Sequence, residues 1–357
     1  SHVQVPRMPR RRDRIFRKTL LPLIALLCAY ALGTAPGSAA SALHFSFDRA
    51  IDGAAAPFVL ASTRGLFRAE DLTVTTGQAT SSVDAIARVA SGSSDMALAD
   101  ITALIRYRDK EGAVPVKAVF VLYNKAPYAI IARKSRGIAT LPDIEGKTIG
   151  IVDGDLAATL WPAIARRNNI KLDKVKTEKV SAAVRGPMLS AGQVDAVTGF
   201  AFLTAIDLRD RGVPAGDLAV LRFSEFGGEV YGHALIVNPK FAAANPDAVK
   251  AFVRATIAGI RLSLKDPARA IDDVLLQMSN GSRDIELERL RAVLKDNIVT
   301  DEVKQNGLGG IDSGRFHSGI GQIADGYEFR KRPSIGDIFD DSFLPPLNAR
   351  KINVVRY

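Results

Sequence analysis

The residues that could do chemistry lie where predicted strands run into predicted helices. The stretch KTIGIVDGDLAATLWPAIARRNN, residues 147–169, joins an apolar strand to a glycine turn and a helix. A phosphate loop needs two glycines five residues apart followed by Lys and Ser or Thr, and a dinucleotide loop needs a third glycine. Gly150 and Gly154 fit neither pattern. Asp153 and Asp155 would repel phosphate, and Asp155 suits the N-cap of the helix.

No pattern in the chain favours nucleophilic or metal chemistry. The Gly-x-Ser-x-Gly turn of a nucleophile elbow is absent from the sequence. Beyond residue 42, His44, His233 and His317 are isolated, without the spacing of metal ligands. A lone histidine beside a strand more often has a structural hydrogen bond. We therefore expect no catalytic residue, no metal and no cofactor.

Ligand binding by amides, hydroxyls and aromatic rings remains. Thr80, Ser81 and Ser82 precede a predicted helix, where they could bind an anion or simply cap the helix. Several rings could form the walls of a site for a flat or apolar ligand, or could pack in the core. These rings are Tyr123, Tyr128, Trp161, Phe200 and Tyr231. Trp161, one turn into its helix, is the ring that we expect to face the ligand.

Strand-like and helix-like runs alternate along the chain. LHFSFD (43–48), LTVTTG (72–77) and DMALAD (95–100) favour strands, and SVDAIARVASG (82–92) favours an amphipathic helix. The same alternation begins again near residue 138, and the tail from about 265 to 340 is largely helical. The pattern predicts an α/β protein with mostly parallel sheets. The length of 357 residues suits two domains.

The first 42 residues are typical of a secretory signal peptide. A basic stretch, MPRRRDRIFRK, precedes a 17-residue apolar run and then small residues, with cleavage expected after Ala40 or Ala42. A membrane anchor is the alternative, although the run is short for a span. SHVQVPR before Met8 is either a tag remnant or an early start. Cys28, the only cysteine, lies in the apolar run, so the exported chain would have no disulfide.

The net charge gives no strong case for nucleic acid as a partner. Residues 1–42 carry seven basic side chains and one acidic side chain, which supply +6 of the total charge of +10. The remaining +4 is spread over all later residues. A nucleic-acid-binding surface needs a more concentrated positive charge.

Several stretches resemble the solute-binding proteins of ABC importers for nitrate, sulfonate, taurine and thiamine-precursor pyrimidines, the NMT1/THI5-like group. The resemblance lies in PFVLASTRGLFRAEDLTVT, VASGSSDMALAD, IIARKSRGIATLPDIEGKTIGIVDGD and MLSAGQVDAVTGF, in that order. It continues through NPKFAAANPDAVKAFVRA into the tail. Each motif is weak alone, but their order and spacing are fairly specific.

The resemblance implies a type II periplasmic-binding-protein fold, with two α/β lobes and two crossover strands. Residues 43–133 and 233–357 would form the first lobe, and residues 134–232 the second. It also implies a monomeric periplasmic carrier, not an enzyme. Such a carrier closes on a sulfonate, carboxylate or pyrimidine-like heterocycle by a hinge motion and delivers it to an ABC permease in the inner membrane.

The resemblance also implies which residues line the cleft. They are Ala55, Ala56, Pro57, Thr80, Ser81, Asp100, Ile101, Tyr123, Asn124, Asp155, Leu156, Phe200 and Tyr231. No Arg or Lys stands at these junctions to pair with a sulfonate or nitrate. Asp100 and Asp155 would suit a ligand with donor groups, such as an aminopyrimidine. Helix-end amides can still bind an anion, so the ligand's charge stays open.

Two other functions are compatible with the same lobes. A periplasmic sensor that presents its ligand to a membrane receptor would have a similar sequence. THI5-like enzymes that build the pyrimidine also resemble this chain, but they carry a cysteine-rich iron motif. A single cysteine, Cys28, argues against that enzyme.

Overall fold

The structure, a computed structural model, describes residues 39–353. Within that range, the residues from Ser41 onward form one compact unit. The predicted signal peptide falls almost wholly outside this range and stays a prediction. Its last two residues, Ser41 and Ala42, already pair with Leu72 and Thr73 in a sheet. Cleavage after Ala40 would leave that strand whole, whereas cleavage after Ala42 would shorten it. Within the described range, no helix is both long and apolar enough to cross a membrane.

Ten strands in the described range form two five-stranded sheets. Their bounds are β1 Ser41–Phe47, β2 Leu72–Gln78, β3 Met96–Asp100, β4 Lys117–Val121, β5 Tyr128–Arg133, β6 Thr148–Val152, β7 Lys176–Val180, β8 Ala196–Phe200, β9 Leu218–Arg222 and β10 His233–Val237. The order is β2-β1-β3-β10-β4 in the first sheet and β7-β6-β8-β5-β9 in the second. In each sheet three parallel strands are followed by one antiparallel strand.

The chain crosses between the sheets twice, once between β4 and β5 and once between β9 and β10. This confirms the predicted two-lobed fold with two crossovers. One predicted boundary is wrong, because β5 was expected in the first lobe. Residues Tyr128–Arg133 pair with β8 and β9 of the second sheet, since the chain has already crossed before Tyr128. At the second crossing, the chain returns before His233, the first residue of β10, which pairs with β3 and β4 of the first sheet.

Helices cover both sheets and form most of the tail. They are α1 Ala56–Thr63, α2 Leu66–Ala69, α3 Ser82–Ser91, α4 Ile101–Arg108, α5 Leu156–Arg167, α6 Arg185–Ala191, α7 Ile206–Asp210, α8 Pro239–Ala244, α9 Pro246–Lys265, α10 Pro267–Leu275, α11 Arg283–Val293, α12 Asp301–Asn306, α13 Ser313–Ala324, α14 Ile335–Ile338 and α15 Leu347–Arg350. Among residues 39–353, the π-helical turns are Ala201–Ala205 and Leu294–Ile298. The 3-10 turns are Gly53–Ala55, Lys134–Arg136, Leu141–Ile144, Leu172–Lys174, Ala215–Asp217, Phe223–Glu225 and Asp341–Phe343.

A cluster of phenylalanines forms the centre of the first lobe. Phe45 on β1 lies 5.1 Å from Phe58 on α1 and 5.0 Å from Phe252 on α9, measured between ring centroids. Phe67 on α2 stacks on Phe252 at 5.1 Å. Offset and tilted pairs at these distances stabilise a core beyond the area that they bury. The cluster therefore fixes α1, α2 and α9 on one face of the first sheet.

Helix α9 packs so closely on α1 that only glycine fits at the crossing. A Cβ atom on Gly259 would lie 2.1 Å from the carbonyl oxygen of Pro57. Backbone atoms cannot rotate away from such an overlap as a flexible side chain can. The two helices would have to separate to admit any side chain there, which would disturb the phenylalanine cluster beside them.

We expect Gly259→Ala to lower the free energy of unfolding by about 1–3 kcal/mol, the usual range for overpacking a core. The matched control is Gly321→Ala in α13, where a Cβ would meet nothing within 4 Å. That change should stabilise the protein by about 0.5–1 kcal/mol, because alanine favours the helix. Urea denaturation measures both. Equal effects of the two substitutions would contradict the close crossing.

Candidate ligand-binding site between the lobes

The strand ends of the two sheets bring charged groups from the first lobe against aromatic rings from the second. Asp48 and Arg49 directly follow β1, and Asp100 ends β3 opposite His233, the first residue of β10. In the second lobe, Phe200 ends β8 opposite Tyr128, the first residue of β5. In open α/β sheets, ligands bind outside the carboxyl ends of the parallel strands. We call this set, together with Tyr123 and Phe202, the junction cluster.

Asp48 and His233 form a buried pair at the centre of the junction cluster. The Nε2 atom of His233 lies 2.6 Å from Oδ2 of Asp48, and the His233 side chain is fully buried. Burial raises the pKa of Asp48, but His233 and Arg49 outweigh it and hold that pKa at about 2. The other ring nitrogen of His233, Nδ1, is buried without a hydrogen-bond partner in the described part of the chain. Such an atom is a candidate contact for a bound molecule.

Arg49 places a positive charge at the same point. Its Nε donates to Oδ2 of Asp52 at 3.0 Å, and its guanidinium carbon lies 5.4 Å from the ring centroid of Phe202. Burial lowers the pKa of Arg49, but Asp52 and Asp48 raise it above its ordinary value, so the group stays charged. Nη1 is 3.6 Å from Asp48 and has no hydrogen-bond partner among residues 39–353. Arg49 therefore has a donor available at the lobe interface.

Aromatic rings from both lobes surround these charges. The ring of Tyr123 lies 5.0 Å from His233 and 5.8 Å from Phe202. The ring of Phe200 lies 5.6 Å from His233 and 5.8 Å from Tyr128. Two of the predicted ligand residues, Tyr123 and Phe200, therefore meet here. Flat apolar surfaces next to a charged donor suit a ligand that combines a ring with an acceptor group.

Asp100 is the third predicted residue in the junction cluster, but both of its oxygens already have protein partners. Oδ1 accepts from the amides of Thr102 at 2.7 Å and Ala103 at 3.3 Å, and Oδ2 accepts from the hydroxyl of Tyr128. Burial raises the pKa of Asp100, and the nearby His233 and these hydrogen bonds only partly offset it. Burial and Asp100 together raise the pKa of Tyr128. This bond joins the lobes.

Asp155 caps its helix, as the sequence suggested, and also contacts two other side chains. Its Oδ1 accepts from the amide of Ala157 at 2.9 Å at the start of α5. Its Oδ2 accepts from the hydroxyl of Thr198 at 2.8 Å and lies 3.6 Å from Nη1 of Arg185. The neighbouring Leu156 is half-buried. The two carboxylates that favoured a donor-bearing ligand thus both have protein partners, whereas Arg49 has an available donor.

Thr80 and Ser81 lie exposed at the start of α3. The hydroxyl of Ser81 accepts from the amide of Asp84 at 3.1 Å, and Oδ2 of Asp84 accepts from the amide of Thr80 at 2.9 Å. The side chains of Ser81 and Asp84 therefore form a reciprocal cap at the start of the helix. Asp84 also places a negative charge beside the amides, which disfavours an anion there.

Five other predicted residues lie in apolar cores. Ala55, Ala56, Pro57 and Ile101 are buried in the first lobe. Trp161, which we expected to face the ligand, is 3% exposed and lies 6.4 Å from Phe223 in a stacked pair. The position of Trp161 on its helix predicts that the ring is buried. The apolar pattern does not say whether the ring is buried in the core of a lobe or against a ligand.

Asn124 and Tyr231 belong to the two crossing segments rather than to the junction cluster. The amide nitrogen of Asn124 and the hydroxyl of Tyr231 both donate to Oε2 of Glu302, at 2.6 and 2.9 Å. Arg315 on α13 donates to Oδ1 of Asn124 at 3.1 Å and to the carbonyls of Glu229 and Val230 at 2.8 and 3.1 Å. One arginine therefore holds both crossings.

Sequence reasoning missed Arg49 and Arg315. The signal for Arg49 was its position directly after the first strand, at the ligand-binding edge of a parallel sheet. Arg315 had no such signal, because its partner Asn124 is 191 positions away in the chain. In the described part of the chain, no group of three or more His, Cys, Asp and Glu side chains is arranged to hold a metal ion.

Two five-stranded sheets joined by two crossings, with a polar and aromatic site between them, define the periplasmic-binding-protein fold. Solved structures share it. The aliphatic sulphonate-binding protein SsuA of Escherichia coli superposes with a TM-score of 0.68 at 15% identity, over 88% of this chain and 96% of that one. The alkanesulfonate-binding protein SsuA of Xanthomonas axonopodis, bound to MOPS, gives 0.63 at 17% identity, over 84% and 97%.

The family described as NMT1/THI5 like matches residues 53–270, more than half of the chain, so this chain belongs to that family. Riboflavin-binding protein RibY of Chloroflexus aurantiacus is 25% identical over 267 residues, 72% of this chain and 73% of that protein. The 4-amino-5-hydroxymethyl-2-methylpyrimidine phosphate synthase of Schizosaccharomyces pombe is 26% identical over 227 residues, 61% of this chain and 64% of the enzyme.

We expect the Asp48–His233 pair to make stability depend on pH. The pKa of Asp48 is about 2 against an ordinary 3.8, so its contribution is full above the ordinary value and is lost as the pH falls to about 2. This contribution is about 2 kcal/mol. Urea denaturation from about pH 5 to about pH 2 should show the stability difference between wild type and Asp48→Asn shrinking on acidification. A constant difference across that range would contradict the paired carboxylate.

Proposed function

We propose that this protein is a periplasmic solute-binding protein that captures a small organic molecule between its lobes and delivers it to an ABC permease. The observation that carries the proposal is the junction cluster. Arg49 and His233 of the first lobe each present a polar atom that has no partner among residues 39–353, beside the rings of Phe200 and Phe202. A molecule held there would contact both lobes and would favour their closed arrangement.

The junction cluster favours a ligand with a flat ring and an acceptor or anionic group. The rings supply stacking surfaces, and the guanidinium of Arg49 can bind a carboxylate, a sulfonate or a ring carbonyl. The names of similar proteins agree with this range, since they include a riboflavin-binding protein and alkanesulfonate-binding proteins. A cationic ligand is disfavoured, because Asp100 and Asp155 have protein partners.

We propose transport rather than synthesis as the role of this site. Several relatives are named pyrimidine phosphate synthases, and the resemblance to such enzymes implies a cysteine-rich iron motif. Cys28 is the only cysteine in this sequence, and it lies in the predicted signal peptide. The carrier would act as a monomer in the periplasm. Mass spectrometry of a bound compound before and after incubation with iron separates the two roles, because only an enzyme would change the compound.

We expect purified protein to be stabilised by at least one member of a panel of riboflavin, alkanesulfonates, carboxylates and aminopyrimidines. A ligand at about one hundred times its Kd adds about 2.7 kcal/mol by mass action, which raises the Tm by about 4 °C for a chain of this size. Thermal denaturation measures the shift. If no compound in the panel shifts the Tm, and no compound co-purifies, the carrier proposal fails.

We expect Arg49→Gln to weaken an anionic hit of that panel by about tenfold to a hundredfold, because a charge-assisted hydrogen bond is lost. The control is Arg64→Gln, which removes an arginine of the same lobe that pairs with Asp273 away from the junction cluster. Isothermal titration calorimetry gives both affinities. Equal affinity in wild type and Arg49→Gln would show that Arg49 does not contact the ligand. It would not bear on the assignment of the fold.

A further inference from the structure

Helix α11 touches both the loop that holds Arg49 and the opposite lobe. On the first side, Oε2 of Glu286 accepts from the amide of Gly53 at 2.7 Å, and Glu286 is 2% exposed. A Cβ on Gly53 would lie 2.1 Å from the carbonyl oxygen of Glu286, so the loop sits directly on the helix. The preceding residue, Asp52, is the one that binds Arg49. The position of Arg49 therefore depends on α11.

On its other side, α11 and the π-helical turn after it form ion pairs with the second lobe. Arg289 pairs with Asp207 on α7, and Glu288 pairs with Arg209 on the same helix. Asp296 in the π-helical turn lies 3.5 Å from Arg222 at the end of β9. Each pair joins a first-lobe residue to a second-lobe residue. We call these three pairs the inter-lobe latch.

On this side, the lobes are joined both by ion pairs and by the packing of Phe202 into the core of the first lobe. A cavity of about 230 Å³ lies between α7, β9 and α11, and its lining includes Arg209, Arg222, Glu288 and Asp296. Closure here leaves space between the apolar walls instead of filling it. The ion pairs around the cavity are among the direct contacts that separation of the lobes would break.

Arg289 connects the two sides of α11. It pairs with Glu286 within its own lobe and with Asp207 across the interface, and its side chain is 12% exposed. Separation of the lobes would break the contact of Arg289 with Asp207 but not its contact with Glu286, which lies in the same lobe. Glu286 and Gly53 also belong to one lobe, so their hydrogen bond would remain. A continuous set of polar contacts therefore runs from Arg49 in the junction cluster to the surface of the second lobe.

We propose that Glu286 and Arg289 are positioning residues that couple occupation of Arg49 to closure of the inter-lobe latch. The proposal deepens the proposed function and rests on it for the ligand, but the latch itself needs no ligand. By linkage, a closed latch raises the affinity of the junction cluster, and a bound ligand strengthens the latch by the same factor. Closure is also sensitive to salt, because most of the paired side chains reach solvent.

Distance measurements between spin labels test the latch without any ligand. Thr73→Cys on β2 and Lys176→Cys on β7 place labels on exposed edge strands of the two sheets, in the full chain with Cys28→Ser. Asp207→Asn should lower the ratio of closed to open molecules by about two- to fivefold, the range for a largely exposed pair. Asp210→Asn, on the same helix, is the control and should leave the ratio unchanged. About 1 M salt should bring wild type toward Asp207→Asn, because screening weakens exposed pairs.

A charge swap separates the latch from damage to either helix. Arg209→Glu and Glu288→Arg should each open the lobes, and the two together should restore the wild-type distances because the pair re-forms with reversed charges. Single changes that leave the distances unaltered, or a double change that restores nothing, would overturn the latch.

Coupling to the junction cluster is tested with riboflavin and MOPS as probes. Glu286→Gln keeps an acceptor for Gly53 but removes the charge beside Arg289. Glu286→Gln should weaken the binding of whichever probe binds by about two- to fivefold. In the double variant with Asp207→Asn, the loss of affinity should be smaller than the sum of the two single effects, as expected of two residues in one network. Additive effects would overturn the coupling. If the label distances respond but neither probe binds, the latch stands and riboflavin and MOPS are excluded as ligands.

Discussion

The two crossing segments between the lobes are joined to each other by hydrogen bonds, and the positions of both lobes depend on these bonds. The amide of Gly232 donates to the carbonyl of Tyr123 at 2.9 Å, which joins the second crossing to the first. Arg315 then binds carbonyls and a side chain of both crossings. Fixing the crossings fixes which strand ends face each other. The charged side of the junction cluster and its aromatic side therefore lie across these segments from each other.

Buried charge at the junction follows from the same constraint. Asp48, Arg49 and Asp52 alternate in sign within five residues, and Asp48 is held by His233 from a strand that arrives much later in the chain. Removing charges from water is costly unless each has a partner. Here the partners come from separate segments of the first lobe, so the site is organised before any ligand binds. Such organisation lowers the cost of ordering the site when a ligand arrives.

Local patterns in the sequence were enough to predict the fold but only part of the site. Alternating strands and helices, and the order of the family motifs, led to two lobes with two crossings. Asp155 as a cap was predictable, because a cap acts on the residues next to it. The contact of Trp161 with Phe223 was not predictable, because helical periodicity identifies a buried face but not the residues that pack against it. The lobe of β5 was misassigned because sheet membership depends on pairing with strands far along the chain, and the partners of Arg49 and Arg315 depend on the same long-range geometry.

The position of β10 sets the order in which the protein can be completed. The second sheet is built from one continuous stretch of chain, β5 to β9, whereas β10 inserts between β3 and β4 of the first sheet. β10 follows the second lobe in the chain. The first sheet therefore cannot be completed by β10 until the whole second lobe has been synthesised. Contacts between segments so far apart form slowly. The first lobe, including His233 and with it the junction cluster, is therefore the last part of the molecule to be completed.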